Sequence, residues 1–305
     1  MPDYSELQKQ FGDDCSLGVP GAFFTTYKAG GPAEALLKPA TLDELAWTLK
    51  WCYTKGVPVT VLGLGSNVLI SDRGLPGVTI LTVKLTRMFL SGANLRAQAG
   101  LPWDTLTRRM AEVGLGGLEK TSGIPGTVGG AVCMNAGAFG QETFDRLVSV
   151  TVMDLKGDTA RLLKSDLPHG YRRVDGLDPY VVVAAEFEFE KGNPAVLLKD
   201  RDCVLKARAE KQPLDLPSAG SVFKRPPGDY ASRLIDAAGL KGLAIGKAMV
   251  SPKHAGFIVN TGGARAADIH ALVRRVQAEV KAKTGVQLEP EQVFLGEFAE
   301  DKGAL

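Results

Sequence analysis

The sequence predicts an α+β or α/β protein with several sub-domains, and two observations support this. Helix-spaced and strand-like segments are mixed along the 305 residues, with more strand in the first two thirds. The 36 glycines are about 12% of the chain, against a usual ~7%. Such a glycine content indicates many tight turns, or backbone that lies close to a ligand. The length is ample for a sizeable buried core.

The first clear helix is predicted to follow Thr41. Thr41 can cap the helix, Glu44 completes a capping box, apolar residues recur at helical spacing, and Gly56 ends the helix. A short β-rich run at 57–62 then leads directly into a glycine-rich turn at 63–70.

Strand-like and helix-prone segments continue along the rest of the chain. The strand-like segments are 75–100, 148–155 and 180–190. The helix-prone segments run from Pro102 to Gly114, through the basic stretch 195–210, and from Ala264 to Gly285. The last of these has the clearest apolar stripe and leads into an extended segment at 286–291.

Composition excludes several classes of protein. A net charge of +2 gives no electrostatic case for binding nucleic acid or an anionic membrane. No apolar run approaches the ~18 residues of a membrane helix, and no secretory signal is visible, so a cytoplasmic protein is expected. The four cysteines lack a Cys-x-x-Cys pattern and indicate reduced thiols. With three histidines, no metal site is predicted.

Two glycine-rich segments are candidate ligand sites. In Gly63-Leu64-Gly65-Ser66-Asn67, successive backbone N–H groups could hold a pyrophosphate. The third glycine of a dinucleotide fingerprint is absent, however, and a tight turn between strands explains the segment equally well. The segment 123–130 holds four glycines and a proline. Close approach to a flat or phosphorylated ligand explains that density better than a structural turn does.

Three short segments could carry chemistry, and each also has a structural explanation. Ser221 could donate a proton or bind phosphate, or it could cap a solvated basic loop. One arginine of Arg172-Arg173 could clamp a carboxylate or phosphate, or the pair could belong to a solvated surface. One carboxylate of Glu289-Pro290-Glu291 could serve as an acid if burial raises its pKa, or both could lie at a charged strand edge. The segment 242–247 is too short for a phosphate-binding loop, and Ala248 replaces its Ser/Thr.

Six motifs follow one another along the chain in a fixed order. They are Thr25–Ala33, Leu64–Ile70, Ser122–Gly130, Tyr171-Arg172, Ala219–Lys224 and Leu288–Glu291. Together they resemble the UDP-N-acetylenolpyruvoylglucosamine reductase family, the UDP-N-acetylmuramate dehydrogenases. The resemblance covers residues 20 to 296 and is closest to the shorter class of that family.

The resemblance implies an α+β fold with an FAD-binding unit of the vanillyl-alcohol-oxidase (PCMH) type at about 27–192. That unit would consist of two sub-domains, residues 1–83 with 286–305 and residues 84–208. A separate α+β substrate-binding domain would cover 209–285. The FAD contacts implied by the two glycine-rich segments are Leu62, Gly63, Gly65, Ser66, Asn67, Val68, Ser122, Gly123, Ile124, Pro125, Gly126, Val128, Gly129 and Gly130.

The resemblance also implies a reaction in bacterial cell-wall synthesis. NADPH would reduce FAD and leave, and flavin N5 would deliver hydride to the β-carbon of UDP-N-acetylglucosamine enolpyruvate. Arg172 and Glu291 match the residues that stabilise the resulting aci-carboxylate, and Ser221 matches the proton donor to the α-carbon. Candidate contacts to the substrate phosphates and carboxylate are Lys211, Lys224, Arg225 and His254. The chain is expected to be a monomer.

The chain departs from the family pattern at three places. Val174 stands where a serine is expected, and Arg225 where many members have asparagine. Glu291 is followed by Gln292-Val293-Phe294 in place of Val-Arg-Phe. Two alternative functions are another FAD oxidase or dehydrogenase of the same fold and a non-catalytic nucleotide-sugar-binding module. Neither explains the presence of Ser221, Arg172 and Glu291 together.

Overall fold

The structure of the chain is a computed structural model that describes residues 2–298. The chain forms two compact units. Unit 1 consists of the residues up to 16, residues 35–64 and residues 77–208. Among the described residues, unit 2 consists of residues 17–34, residues 65–76 and residues 209–298.

The described residues form eight α-helices and twenty strands. The helices are Ser5–Phe11 (α1), Leu42–Lys55 (α2), Trp103–Glu112 (α3), Val128–Cys133 (α4), Thr143–Arg146 (α5), Pro194–Lys211 (α6), Ala231–Ala237 (α7) and Ala266–Thr284 (α8). The strands of the first half are Cys15–Pro20 (β1), Pro32–Leu37 (β2), Val59–Leu62 (β3), Val68–Ile70 (β4), Leu75–Leu81 (β5), Met88–Ser91 (β6), Asn94–Gln98 (β7), Leu115–Gly116 (β8), Gly137–Ala138 (β9) and Gln141–Glu142 (β10). Those of the second half are Leu147–Met153 (β11), Thr159–Leu163 (β12), His169–Gly170 (β13), Arg173–Val174 (β14), Val181–Glu188 (β15), Glu190–Lys191 (β16), Ala244–Ile245 (β17), Ala248–Val250 (β18), Ile258–Asn260 (β19) and Val293–Leu295 (β20).

Helix α2 begins and ends where its sequence predicts. The hydroxyl of Thr41 accepts the N–H of Glu44 at 3.1 Å, and Gly56 ends the helix in the left-handed region with φ 65°. The capping box differs in one detail, because the Glu44 carboxylate accepts the N–H of Ala40 rather than that of Thr41. Capping residues therefore set both ends of this helix.

Unit 1 contains a five-stranded antiparallel sheet in the order β12-β11-β15-β7-β6. Strands β3 and β5 pair in parallel, with Val59 opposite Val78. Two buried hydrophobic clusters support this unit, one around Leu45 and Leu49 of α2 and the other around Trp103 of α3. The antiparallel main sheet confirms the α+β class over the α/β alternative.

Unit 2 contains the antiparallel sheet β17-β18-β19 and the two helices α7 and α8. The apolar stripe predicted for α8 is fully buried in the hydrophobic cluster of this unit, and its members are Ile269, Leu272, Val273, Val276 and Val280. Gly285 ends the helix with φ 75°. Strand β20 pairs in parallel with β4, which follows the first glycine-rich segment.

Three local features differ from the sequence expectations or refine them. The second glycine-rich segment is not all loop, because α4 begins after Thr127, whose hydroxyl accepts the N–H of Gly130. The segment 286–291 precedes the final strand, which begins at Val293. The rejected phosphate-loop match at 242–247 leads into the β17–β18 hairpin and is followed directly by strand β18 rather than by a helix.

Among residues 2–298, no helix combines the length and apolar character needed to cross a membrane.

Candidate active site

The glycines of the first glycine-rich segment are required by the packing of the protein itself. A Cβ atom on Gly63 would lie 2.3 Å from Oγ1 of Thr127, within unit 1. In unit 2, a Cβ atom on Gly65 would lie 2.3 Å from the carbonyl oxygen of Phe24, and Gly65 has φ 60°. Both positions therefore need glycine whether or not a ligand lies nearby.

The glycines of the second segment divide into two kinds. A Cβ atom on buried Gly129 would lie 2.9 Å from Cβ of Ala99, so the protein again requires glycine there. Gly130 is exposed, and its Cβ would meet only Oγ1 of Thr127, at an ordinary 3.8 Å. Open space over exposed backbone is what close approach of a flat or phosphorylated cofactor needs. The backbone at Gly130 is therefore open to such a cofactor.

An ion pair between a buried arginine and a partly exposed aspartate supports the second glycine-rich segment from within unit 1. Asp104 at the start of α3 accepts the N–H of Gly123 at 2.8 Å and receives two hydrogen bonds from Arg201, at 2.7 and 2.8 Å. The side chain of Arg201 is only 8% exposed. The hydrogen bonds from Arg201 hold the pKa of Asp104 below the ordinary value, so the Asp104 carboxylate stays ionised.

Sequence reasoning missed this pair, although a signal was present. Arg201, Leu205 and Arg208 recur at i, i+4 and i+7 in the basic stretch and therefore share one face of α6. A Cβ atom on Gly123, which has φ 73°, would lie 2.8 Å from Leu205 and 3.0 Å from Nε of Arg208. That face of α6 packs against the glycine-rich segment rather than facing solvent.

Arg172 is held in a strained conformation in unit 1. It lies with Tyr171 in the two-residue turn of the β13–β14 hairpin and has φ 55°, which is unfavourable for a long side chain. Its guanidinium donates to the carbonyl oxygens of Gly137 at 2.5 Å and Asn135 at 3.4 Å. It also lies over the ring of Tyr171, 4.8 Å from the centroid. These contacts orient a cation at this hairpin.

Ser221 and Glu291 lie on neighbouring backbone segments of unit 2. The N–H of Glu291 donates to the carbonyl of Val222 at 2.8 Å, and the N–H of Val222 donates to Gly256 at 2.9 Å. The Asn67 side chain donates to the carbonyl of Glu291 at 3.2 Å. The fold thus brings two predicted catalytic residues and one predicted FAD contact together, although they lie far apart in the sequence.

Three of the predicted substrate-binding residues have partners within unit 2. Lys224 forms an ion pair with Glu289. The Arg225 guanidinium lies over the exposed ring of Tyr230, 4.5 Å from its centroid. The Nδ1 of His254 accepts the N–H of Gly256 at 3.2 Å, and burial lowers the pKa of the imidazole below its ordinary value.

The remaining predicted site residues divide between the two units. His254 is neutral at neutral pH because of its lowered pKa, so it offers a hydrogen bond rather than a positive charge. Lys211 is exposed at the end of α6. Leu62 ends β3 in unit 1, and Ser66 and Val68 lie in unit 2 beside Asn67. The second glycine-rich segment and Arg172 belong to unit 1.

Comparison with known proteins first defines the class. Residues 33–163 match the family model described as an FAD binding domain. Residues 212–295 match the family model described as the UDP-N-acetylenolpyruvoylglucosamine reductase C-terminal domain. The chain therefore carries an FAD-binding domain followed by a second family-specific region, and the predicted FAD cofactor is confirmed.

Similarity over almost the whole chain then defines the family. The chain is 46% identical to the UDP-N-acetylenolpyruvoylglucosamine reductase of Synechococcus sp. (strain WH7803), over 93% of this chain and 94% of that one. It is 45% identical to the enzyme of the same name from Alkalilimnicola ehrlichii, over 91% of this chain and 93% of that one. It belongs to the UDP-N-acetylenolpyruvoylglucosamine reductase family.

A solved structure agrees with this assignment. The crystal structure of UDP-N-acetylenolpyruvylglucosamine reductase from Thermus caldophilus superposes with a TM-score of 0.80 at 37% identity. The match covers 92% of this chain and 98% of that one. The predicted fold, an FAD-binding unit within an α+β chain, is confirmed.

Two glycine-to-alanine variants should separate packing from cofactor binding. Gly130→Ala should leave the apo-protein as stable as the wild type or more stable by about 0.5–1 kcal/mol, because alanine is the better helix residue. It should still weaken FAD binding about 10- to 100-fold, because a methyl group fills the open space. Urea unfolding and FAD titration of the apo-protein measure the two effects.

Gly129→Ala is the matched control, one residue away in the same helix. Its methyl group meets Ala99, so it should lower the free energy of unfolding by about 1–3 kcal/mol. Normal FAD affinity in a stable Gly130→Ala protein would show that the cofactor does not approach this backbone.

Proposed function

We propose that the chain reduces the enolpyruvyl group of UDP-N-acetylglucosamine enolpyruvate to a lactyl ether, which gives UDP-N-acetylmuramate. NADPH is the proposed reductant. The observation that carries this proposal is the hydrogen bond between the Val222 and Glu291 backbones, which keeps the backbone segments that carry Ser221 and Glu291 beside each other in unit 2. Family membership at 46% identity supports the same substrate.

FAD, when bound, supplies the hydride that adds to the β-carbon of the enolpyruvyl group. The proposed contribution of the protein is to stabilise the negative charge that then develops on the substrate carboxylate. Arg172 does so as a fixed cation, oriented by the carbonyl groups of Asn135 and Gly137. Glu291 does so as a hydrogen-bond donor, which requires that it be protonated.

Ser221 is the proposed proton donor to the α-carbon. A serine hydroxyl is a weak acid, so the transfer needs positive charge or a water relay nearby to stabilise the alkoxide. Lys224, three residues along the same segment, is the proposed source of that charge. Its side chain forms an ion pair with the exposed carboxylate of Glu289. Lys211, Arg225 and His254 remain the proposed contacts to the sugar nucleotide.

An anaerobic absorption titration tests this function. We expect the flavin bands of the purified holoprotein to bleach with NADPH and, after removal of excess NADPH, to return with UDP-N-acetylglucosamine enolpyruvate. Bands that return only with oxygen would contradict the proposal and indicate an oxidase of the same fold. A reduced flavin that neither the sugar nucleotide nor oxygen reoxidises would also contradict the proposal.

The proposed setting is the bacterial cytoplasm, where the product would enter peptidoglycan synthesis. The chain is proposed to act as a monomer, without a nucleic-acid or membrane partner. The sedimentation coefficient of the holoprotein, measured with and without substrate, tests whether the chain is a monomer.

A further inference from the structure

A buried glutamine joins the two segments that carry Ser221 and Glu291. Gln292 follows Glu291 directly and is 4% exposed. Its Nε2 donates to the carbonyl oxygens of Ala219 at 3.0 Å and Gly220 at 3.3 Å, and Gly220 directly precedes Ser221. The side chain of Gln292, the residue after Glu291, is therefore bonded to the backbone that directly precedes Ser221.

The remaining polar atom of Gln292 is also paired. Its Oε1 accepts the hydroxyl of Tyr27 at 3.0 Å, and Tyr27 has no exposed surface. Burial raises the pKa of this phenol, so the hydroxyl keeps its proton and remains a donor. A buried amide paired at both ends has one favourable orientation, because turning it would leave polar atoms without partners.

A backbone hydrogen bond joins the same two segments on the other side of Ser221, because the N–H of Glu291 donates to the carbonyl of Val222. The side chain of Asn67 also donates to the carbonyl of Glu291. The backbone on both sides of Ser221 is thus bonded either to Glu291 or to Gln292. A shift of one segment requires a shift of the other.

We propose that Gln292 is a positioning residue, which together with Tyr27 sets the placement of the Ser221 hydroxyl relative to the Glu291 carboxyl. This inference rests on the proposed function, because it assigns these two groups to the same chemical step. It adds a role for a residue at which the sequence departs from the family pattern.

Replacement of Gln292 by methionine tests the inference, because methionine has a similar length and no hydrogen-bonding amide. In Gln292→Met, we expect reoxidation of the reduced flavin by the sugar nucleotide to slow about 10- to 100-fold, since small misplacements of reacting groups have effects of that order. Reduction of FAD by NADPH and the affinity for FAD should match the wild type. Stopped-flow absorbance measures both half-reactions.

Gln277→Met is the matched control for the loss of a buried amide. Gln277 is also buried in unit 2, and its Nε2 donates to the carbonyl of Leu288 at 2.9 Å. Both variants should lower the urea midpoint, but only Gln292→Met should slow reoxidation selectively. Equal slowing in the two variants would indicate a general effect of destabilisation and would overturn the inference.

Tyr27→Phe keeps the inference testable if Gln292→Met does not fold. It removes one hydroxyl and leaves both bonds from Gln292 to the backbone, so reoxidation should slow less, by about 3- to 10-fold. The double variant should be no slower than Gln292→Met alone, because both changes act through one amide. Wild-type reoxidation rates in Tyr27→Phe and Gln292→Met would contradict the inference.

The same experiment separates this inference from the proposed function. If the sugar nucleotide does not reoxidise the wild-type flavin, the proposed function fails. If it reoxidises the wild type and all variants at the same rate, the function stands and the positioning role of Gln292 fails.

Discussion

Ser221→Ala should leave the reduction of FAD by NADPH intact and slow reoxidation by the enolpyruvyl substrate about 10²- to 10⁴-fold. In the proposed mechanism, the first half-reaction needs no proton on substrate carbon, whereas the second does. The backbone segment of Ser221 lies beside that of Glu291, which supports a role for both residues in one step. Anaerobic stopped-flow absorbance at the flavin band measures each half-reaction separately.

Ser218→Ala is the control for this variant, since it removes a hydroxyl from the same loop. It should change neither half-reaction. An equal loss in both half-reactions of Ser221→Ala would remove the proton-donor assignment. Retention of a normal reoxidation rate would do so as well, and would direct attention to a water molecule or Lys224 as the source of the proton.

Arg172→Ala should slow reoxidation by substrate about 10²- to 10³-fold while FAD stays bound. The guanidinium is fixed by two carbonyl groups, so its charge is already oriented before the substrate carboxylate becomes more negative. Arg172→Lys should recover only part of the rate, because lysine cannot donate to both carbonyls and the substrate in the same planar geometry. The flavin absorbance of the purified variants reports cofactor retention.

Arg173→Ala is the control for Arg172, one residue further along the hairpin. Arg173 is exposed and pairs with Asp175, so its removal should affect neither FAD nor substrate. Loss of bound flavin from Arg172→Ala would show that the residue supports the cofactor rather than the substrate. A comparable rate loss in Arg173→Ala would indicate that the hairpin as a whole has been disturbed.

The regular parts of the fold could be predicted because their signals are local. Thr41 and Gly56 mark the ends of α2 through their own hydrogen bonds and dihedral angles, and the stripe of α8 recurs at helical spacing. The hydrogen bond between Thr127 and Gly130 is also local, but the sequence pattern does not predict helix α4. Its glycines weigh against a helix, so packing against Ala99 decides the outcome.

The candidate site could be predicted only in part, because its supporting contacts join distant residues. The glycine-rich segments and Ser221 are visible as motifs. The pair of Asp104 with Arg201 joins two helices across 97 residues, and the bond between Tyr27 and Gln292 spans 265. No local pattern encodes such contacts, although the spacing of Arg201, Leu205 and Arg208 places the three residues on one face of α6. A single sequence therefore indicates candidate reacting groups more readily than the residues that would orient them.

The parallel pairing of β20 with β4 bears on the order in which the chain can fold during synthesis. Asn67 and Glu291 lie 224 residues apart, and Val293 pairs with Val68. A ribosome must therefore make almost the whole chain before this ladder can close, and contacts of such long range form slowly. The segments of unit 1, which end at residue 208, emerge earlier. A nascent chain can thus complete the unit that contains Gly130 before Glu291 has been synthesised.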